Sequence, residues 1–272
     1  MHTPLCNHAT GKPAEYAAVA RKRGLKGIIV TCHNPLPDGY ASGSRMDDDQ
    51  LDEYQEMVAE AGEAMSGLVE VRLGLEGDFV PGMEDWLERQ FASANFDYIL
   101  GSVHPQMSEY REAFWTGSAV EFQMTYFEHL AMAAETGLYD SLSHPDLVKN
   151  IEPEEWDYGR IEGHVNRCLD RIAATGIAME LNTSGLNKAI KEMNPCKRML
   201  SQMHERGIPV VVGADAHLPE RVADRYDEAY ELLTDVGYEH VSYFLNRERL
   251  ELPIEQARSS LMPVAGCHID PE

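Results

Sequence analysis

The sequence has few of the features that mark secreted or membrane-spanning proteins. Its five cysteines, Cys6, Cys32, Cys168, Cys196 and Cys267, form an odd set without a CxxC pair, which is atypical of a disulfide framework. No apolar run approaches the roughly 18 residues of a membrane span, and no signal-peptide pattern is visible. We therefore expect reduced thiols, a cytoplasmic location and no membrane partner.

Basic residues are also scarce. Lys and Arg number 23 against 46 Asp and Glu, so the formal net charge is −23. Such a surface repels nucleic acid unless a local basic groove or bound metal ions overcome the charge. A small phosphorylated metabolite stays compatible, because metal cations inside a pocket reverse the local field. We predict a partner of that kind and no nucleic acid, and the oligomeric state stays open.

Linkers, low-complexity tracts and short repeats are absent too, so 272 residues with 43% hydrophobic content predict a single domain over 1–272. Short β-branched runs alternate with amphipathic helical stretches, which predicts βα units and a parallel sheet. The runs are KGIIVTCH, VEVRLGLEGD, FDYILGSVH, LYDSLSHPD, GIAMELNTS and IPVVVGADAH. The predicted helices cover 13–23, 49–66, 119–136, 160–175, 190–206 and 220–236.

Polar side chains lie at the carboxyl ends of these predicted strands, where a barrel keeps its active site. They are His33, Glu76, His104, His144, Asn182, Asp215 and His217. With His2 and His8, the set contains six imidazoles and two carboxylates, more than one four-coordinate metal uses, so two or three ions are expected. Mixed nitrogen and oxygen donors suit Zn, Mn or Fe. Water activated by such ions favours hydrolysis of a phosphate ester.

Other polar residues are interpreted more modestly. The remaining histidines fall on helices or in the C-terminal part and are predicted to be structural or exposed: His129, His164, His204, His240 and His268. Cationic partners for a substrate phosphate are sought in predicted loops, among Arg45, Arg160, Lys188 and Arg198. Arg45 is the preferred substrate contact, because it ends the long loop after His33.

Seven motifs in order carry a resemblance to a known family: HTPLCNHA, TCHNPLP, GLEGDF, DYILGSVH, SHPDLVK, ELNTSG and GADAH. The chain resembles the histidinol-phosphate phosphatases of the polymerase-and-histidinol-phosphatase (PHP) superfamily from position 2 to about 220. The resemblance implies a distorted (β/α)7 barrel of the α/β class with a trinuclear metal centre. One metal would take His2, Glu76 and Asp215; a second would take Glu76, His104 and His144; a third would take His8, His33 and His217.

The resemblance also implies a reaction. Metal-activated water would attack phosphorus, and Asp215 or His217 would assist departure of the alcohol. The sequence departs from the family at its start, because Met1 occupies the middle position of the family's HxH motif. Either the first strand is truncated, which is the preferred explanation, or the protein lacks one ligand of the first metal. In both cases we expect weakened binding of the metal held by His2, Glu76 and Asp215.

The leading prediction is a phosphomonoesterase that hydrolyses L-histidinol phosphate, a late step of histidine biosynthesis. Two alternatives stay open. One is a PHP-type nuclease or a phosphoesterase of other substrates, which the net charge disfavours. The other is a metal-binding barrel without catalytic activity.

Overall fold

Six short strands form one parallel sheet in the computed structural model, which describes residues 1–261. Neighbours in the sheet follow the order of the chain, so each strand pairs with the next one. The strands are β1 (Gly27–Val30), β2 (Glu70–Asp78), β3 (Tyr98–Ser102), β4 (Ser141–Leu142), β5 (Ala178–Asn182) and β6 (Val210–Gly213). This curled sheet confirms the α/β class. Cys267, His268 and the last part of the predicted domain lie outside the described residues.

Helices connect the strands and cover the outside of the sheet. They are α1 (Pro13–Lys22), α2 (Leu51–Ala64), α3 (Glu84–Phe91), α4 (Ser108–Phe114), α5 (Ala119–Glu135), α6 (Tyr158–Thr175), α7 (Lys197–Glu205), α8 (Tyr226–Val236) and α9 (Ile254–Ser260). Their apolar stripes supply the core, as α5 shows, where Phe122, Tyr126 and Leu130 are buried at helical spacing. Each of the six predicted helices has a counterpart.

Two of those helices begin later than predicted. The segment before α7 is extended, because Asn194 exchanges both backbone hydrogen bonds with Asn182 and precedes a proline. The segment before α8 is interrupted by Ala223 and Arg225, which adopt positive φ angles of 55° and 57°. The prediction of helix over 190–196 and 222–225 was therefore wrong.

The two outer strands of the sheet meet the start of the chain. Thr31 N, just after β1, donates to Met1 O at 2.9 Å, and His2 N donates to Ala216 O, just after β6, at 3.0 Å. Beyond these bonds, no seventh parallel strand lies between β1 and β6 within residues 1–261. A cavity of about 240 Å³ opens there. The site residue His2 is thus held directly between the two edges of the sheet.

A hairpin and a short helix follow the sixth strand. β7 (His240–Leu245) and β8 (Glu248–Pro253) pair antiparallel around Asn246 and Arg247, whose positive φ angles fit a tight hairpin turn. Phe244 packs on Ala178 and stacks on Tyr98 with ring centroids 5.1 Å apart, at the amino ends of β5 and β3. The hairpin therefore covers the end of the sheet opposite the predicted site. None of the helices among residues 1–261 has the length and apolar content to cross a membrane.

Candidate metal centre

Glu76, near the carboxyl end of β2, lies at the centre of the predicted ligand set. Its Oε1 lies 3.4 Å from His104 Nε2 and 3.3 Å from His144 Nε2, and its Oε2 lies 3.3 Å from His2 Nε2 and 3.5 Å from His33 Nδ1. All five side chains are buried. When two ligand atoms bind one metal ion through bonds of about 2.0–2.2 Å, the two atoms lie about as far apart as the carboxylate oxygens and ring nitrogens do here. One carboxylate thus faces four imidazoles at distances suited to shared cations.

A second group of ligands adjoins the first. His8 Nδ1 donates to Cys6 O at 2.6 Å and His217 Nδ1 donates to Asp215 O at 3.0 Å, which leaves a lone pair on each Nε2. Those two Nε2 atoms lie only 2.9 Å apart. Two facing lone pairs repel one another unless a proton or a metal ion lies between them, so this arrangement can accept a metal ion.

Unsatisfied buried atoms support the same interpretation. Glu76 Oε1 and His33 Nδ1 are buried without a hydrogen-bond partner among the described residues. Buried polar atoms are normally paired, because an unpaired one costs about 1–3 kcal/mol. The donors are imidazole nitrogen and carboxylate oxygen, which suit Zn, Mn or Fe. The residues present therefore fit the divalent ions that the resemblance implies.

The pKa values of the histidines in the cluster differ, so some rings are ready to bind a metal at neutral pH and others are not. Burial, reinforced by the His2 charge, lowers the pKa of His217 to about 3, and burial holds the pKa of His33 well below its ordinary value. Both rings are therefore neutral near pH 7 and ready to bind a metal. Burial opposes protonation of His2 as well, but its hydrogen bond to Asp215 raises the pKa of His2 to about 9. A metal must displace that proton.

Backbone strain accompanies two ligands. His144 and Asp215 adopt positive φ angles of 25° and 47°, which non-glycine residues rarely populate. Glu180, inside β5, accepts from His144 N at 2.9 Å through Oε2 and so fixes the first of these turns. A Cβ atom at Gly213 would lie 1.7 Å from Glu180 Oε1, so only glycine fits beside this buried carboxylate. Glu180 was not predicted, although a glutamate within an apolar strand is a usable signal.

Arg45 lies in the site but is occupied by protein acceptors. Its Nε donates to Asp78 Oδ2 at 2.7 Å, its Nη2 also contacts Asp78, and its Nη1 donates to Ser44 O at 2.7 Å. Both side chains are buried. Burial works to raise the pKa of Asp78, but the Arg45 charge and His104 hold it below its ordinary range. A direct contact from Arg45 to substrate stays a prediction.

The other three candidate cations differ in whether they form ion pairs with protein carboxylates. Arg160 pairs with Glu155 and Asp157, and Arg198 pairs with Glu162 on the outer surface. Lys188 has no carboxylate within ion-pair distance among residues 1–261 and is half-exposed. Its loop also holds Ser184, whose Oγ donates to Asp215 Oδ2 at 3.2 Å. Of the four candidate cations, Lys188 is therefore the one that makes no ion pair among residues 1–261 and whose loop contacts the candidate metal centre.

The histidines predicted to be structural lie outside the cluster. His129 is buried against the Tyr110 hydroxyl at 2.6 Å, and His164 accompanies Glu128 between α5 and α6. His204 packs edge-on against Tyr238, and His240 begins β7 at the opposite end of the sheet. The structure thus brings together all eight predicted metal ligands and keeps these four apart from them.

Comparisons with known proteins agree with the fold. The family model described as PHP domain matches residues 1–184. A curated protein of Deinococcus radiodurans, "Probable histidinol-phosphatase", is 36% identical and covers 89% of this chain and 94% of its own length. The "Histidinol-phosphatase" of Bacillus subtilis is 27% identical over 84% of this chain and 95% of its own.

A solved structure shares the architecture. The histidinol phosphate phosphatase of Lactococcus lactis, in complex with Zn, L-histidinol and phosphate, superposes with a TM-score of 0.77 at 18% identity. The match covers 92% of this chain and 97% of that one. The fold is an α/β barrel, and the candidate metal ligands lie together at the carboxyl ends of its strands. The chain belongs to the PHP domain family, and the resemblance seen in its motifs is confirmed.

Proposed function

We propose that this protein is a metal-dependent phosphomonoesterase that hydrolyses L-histidinol phosphate to L-histidinol and phosphate. The observation that carries the proposal is the convergence of six imidazoles and two carboxylates on one end of the sheet, with Glu76 facing four of the rings. Two curated relatives that cover most of the chain are named "Probable histidinol-phosphatase" and "Histidinol-phosphatase", which supports the choice of substrate.

Each group of residues has a role in this proposal. His2, His33, His104, His144 and Glu76 hold one part of the metal centre, and His8, His217 and Asp215 hold the adjoining part. Divalent ions bound there would supply an activated water and stabilise charge on the transferring phosphoryl group. We assign two or three such ions, of Zn, Mn or Fe.

Departure of the alcohol is assisted at the same edge of the site, by a group that takes up the proton released by the attacking water and passes it to the alcohol oxygen. Asp215 Oδ1 lies 3.0 Å from His2 Nε2, and Asp215 Oδ2 accepts from Ser184, so its carboxylate is oriented on both sides. His217 is only partly buried, with 26% of its side chain exposed, and can therefore meet a bound substrate. We assign the assisting role to Asp215 or His217.

The phosphate group needs a cation besides the metals. Lys188 lies on the loop after β5, close enough for its charge to help lower the pKa of Asp215, which burial alone would raise. We assign Lys188 to the phosphate of the substrate. A net charge of −23 further favours a small, partly cationic metabolite over a nucleic acid.

The test compares phosphate release from L-histidinol phosphate, p-nitrophenyl phosphate and a short DNA oligonucleotide, using protein whose metal content has been quantified. We expect kcat/KM for L-histidinol phosphate to exceed the others by at least about 100-fold, since polar groups matched to one substrate discriminate strongly. Equal or better turnover of the other substrates would contradict the choice of substrate. Full metal loading without turnover of any phosphomonoester would favour a binding protein.

A further inference from the structure

Asp78 lies beside the metal centre without being one of its expected ligands. Its Oδ1 accepts from Ser102 Oγ at 2.8 Å and lies 2.8 Å from His104 Nδ1, while its Oδ2 accepts from Arg45. Its backbone N donates to Asn34 Oδ1 at 2.9 Å. These side chains are buried, so water does not compete for the contacts.

The contact constrains the tautomer of His104. A neutral imidazole carries one proton, and a metal binds the nitrogen that lacks it. The ionised Asp78 only accepts, so it selects the proton on Nδ1 and leaves the Nε2 lone pair directed at Glu76, 3.4 Å away. The opposite tautomer would place a proton on Nε2, where the metal is expected.

Arg45 also contacts His104 and therefore affects which tautomer the ring adopts. Its Nη2 lies 2.9 Å from the same His104 Nδ1, and a guanidinium is a donor, so it would favour the opposite tautomer if the Asp78 carboxylate were displaced. In the structure the guanidinium is turned onto Asp78 Oδ2 through both Nε and Nη2, and it holds that carboxylate in place. Carboxylate and guanidinium therefore act as a pair.

We propose that Asp78 is the positioning residue that holds His104 in its metal-binding tautomer, with Arg45 orienting Asp78. The proposal rests on the metal centre of the proposed function. It assigns Arg45 an action through Asp78 and His104, whereas a phosphate-binding arginine would act on the substrate directly. Those two roles predict different measurements.

The experiment compares Asp78→Asn, Ser102→Ala and Arg45→Gln in the full chain. The matched control is Asp140→Asn, because the side chain of Asp140 is only 7% exposed and is also paired with an arginine, Arg247. It lies just before β4, away from the ligands. Each protein is titrated with Zn against a competing chelator, and Co-substituted protein is followed by its visible absorption. The KM for L-histidinol phosphate and the inhibition constant of inorganic phosphate are measured at saturating metal.

We expect Asp78→Asn to weaken metal binding by about 10- to 100-fold, the usual effect of removing the partner of a ligating histidine. An asparagine amide can donate to Nδ1 and so admits the wrong tautomer. Arg45→Gln should weaken metal binding in the same direction and leave the phosphate inhibition constant within about threefold. Asp140→Asn should lower thermal stability without changing metal affinity or the Co spectrum.

Unchanged metal affinity in Asp78→Asn would overturn the proposal. A rise in KM and in the phosphate inhibition constant for Arg45→Gln, with metal binding intact, would instead make Arg45 a substrate contact. If Asp78→Asn does not fold, Ser102→Ala removes a single bond to Oδ1 and should still weaken metal binding about threefold; no change there would also refute the idea. The metal titrations need no substrate, so they remain decisive even if the protein hydrolyses a different phosphoester.

Discussion

Replacing Glu76 with glutamine should separate the metal centre from the rest of the fold. The change keeps the side chain's shape but puts an amide where Oε1 or Oε2 now faces four ring nitrogens, at 3.3–3.5 Å. An amide nitrogen cannot bind a metal as a carboxylate oxygen does. We expect Glu76→Gln to lose at least one equivalent of metal.

The size of the effect can be worked out for both activity and stability. A catalytic metal supplies several kcal/mol of transition-state stabilisation, and a loss of about 4 kcal/mol corresponds to roughly 10³-fold in kcat. In metal-free protein, burial works to raise the pKa of Glu76, but His144, His104 and His2 together lower it from 4.5 to about 2. Glutamine resembles the protonated carboxyl, so metal-free Glu76→Gln should be less stable than metal-free wild type by about 3 kcal/mol at pH 7.

The assay combines metal analysis after dialysis, phosphate release and urea unfolding in the presence of a chelator. Glu70→Gln is the matched control, because Glu70 begins the same strand but is 66% exposed and pairs with Arg72. Full metal content and activity within a few-fold of wild type for Glu76→Gln would refute the bridging role. A similar loss in Glu70→Gln would show that the strand as a whole was disturbed.

Three further predictions follow from the same geometry. Lys188→Ala should raise the KM for L-histidinol phosphate about tenfold with kcat little changed, because it removes a charge-assisted contact to the phosphate. The control is Lys191→Ala at an exposed lysine nearby, which should have no effect. Equal effects of the two changes would exclude Lys188 as the phosphate contact. The lowered pKa of Glu76 stabilises metal-free protein above pH 4.5, and this contribution should be lost as the pH falls towards about 2. Over that range the unfolding free energy of metal-free wild type should therefore decline more steeply than the unfolding free energy of metal-free Glu76→Gln. For protein kept at a free metal concentration near 100 times Kd, adding a chelator should lower the melting temperature by about 5–10 °C for each ion removed, and adding Zn should restore it. Superimposable melting curves with and without chelator would show that the ligands do not hold metal.

Much of the site could be predicted from the sequence, because six of the eight candidate ligands lie at or just past the carboxyl end of a strand. His104 and His144 each come two residues after a strand ends, and Asp215 does so too. Parallel strands bring their carboxyl ends to one edge, so pattern alone places these residues together. The partner of His104 was harder to foresee. Asp78 comes from the neighbouring strand, where the i, i+2 spacing from Glu76 was the available signal.

Other features depended on contacts that no local pattern encodes. β4 contains only two residues, Ser141 and Leu142, yet it is a full member of the sheet because its neighbours on both sides pair with it. The hairpin of β7 and β8 turns through Asn246 and Arg247 without the glycine that usually signals such a turn. Tertiary packing supplied what the local sequence lacks.

The sequence by itself determined the alternation of strands and helices, the acidic balance and the set of candidate metal-ligating side chains. These follow from local periodicity and side-chain chemistry, which do not need coordinates. Only the tertiary structure decided that Arg45 lies against Asp78 and that His8 and His217 face each other. The reason is that a side chain's orientation in a loop depends on partners distant in the chain. Arg45 and Asp78 are 33 positions apart, and no short-range pattern carries that information.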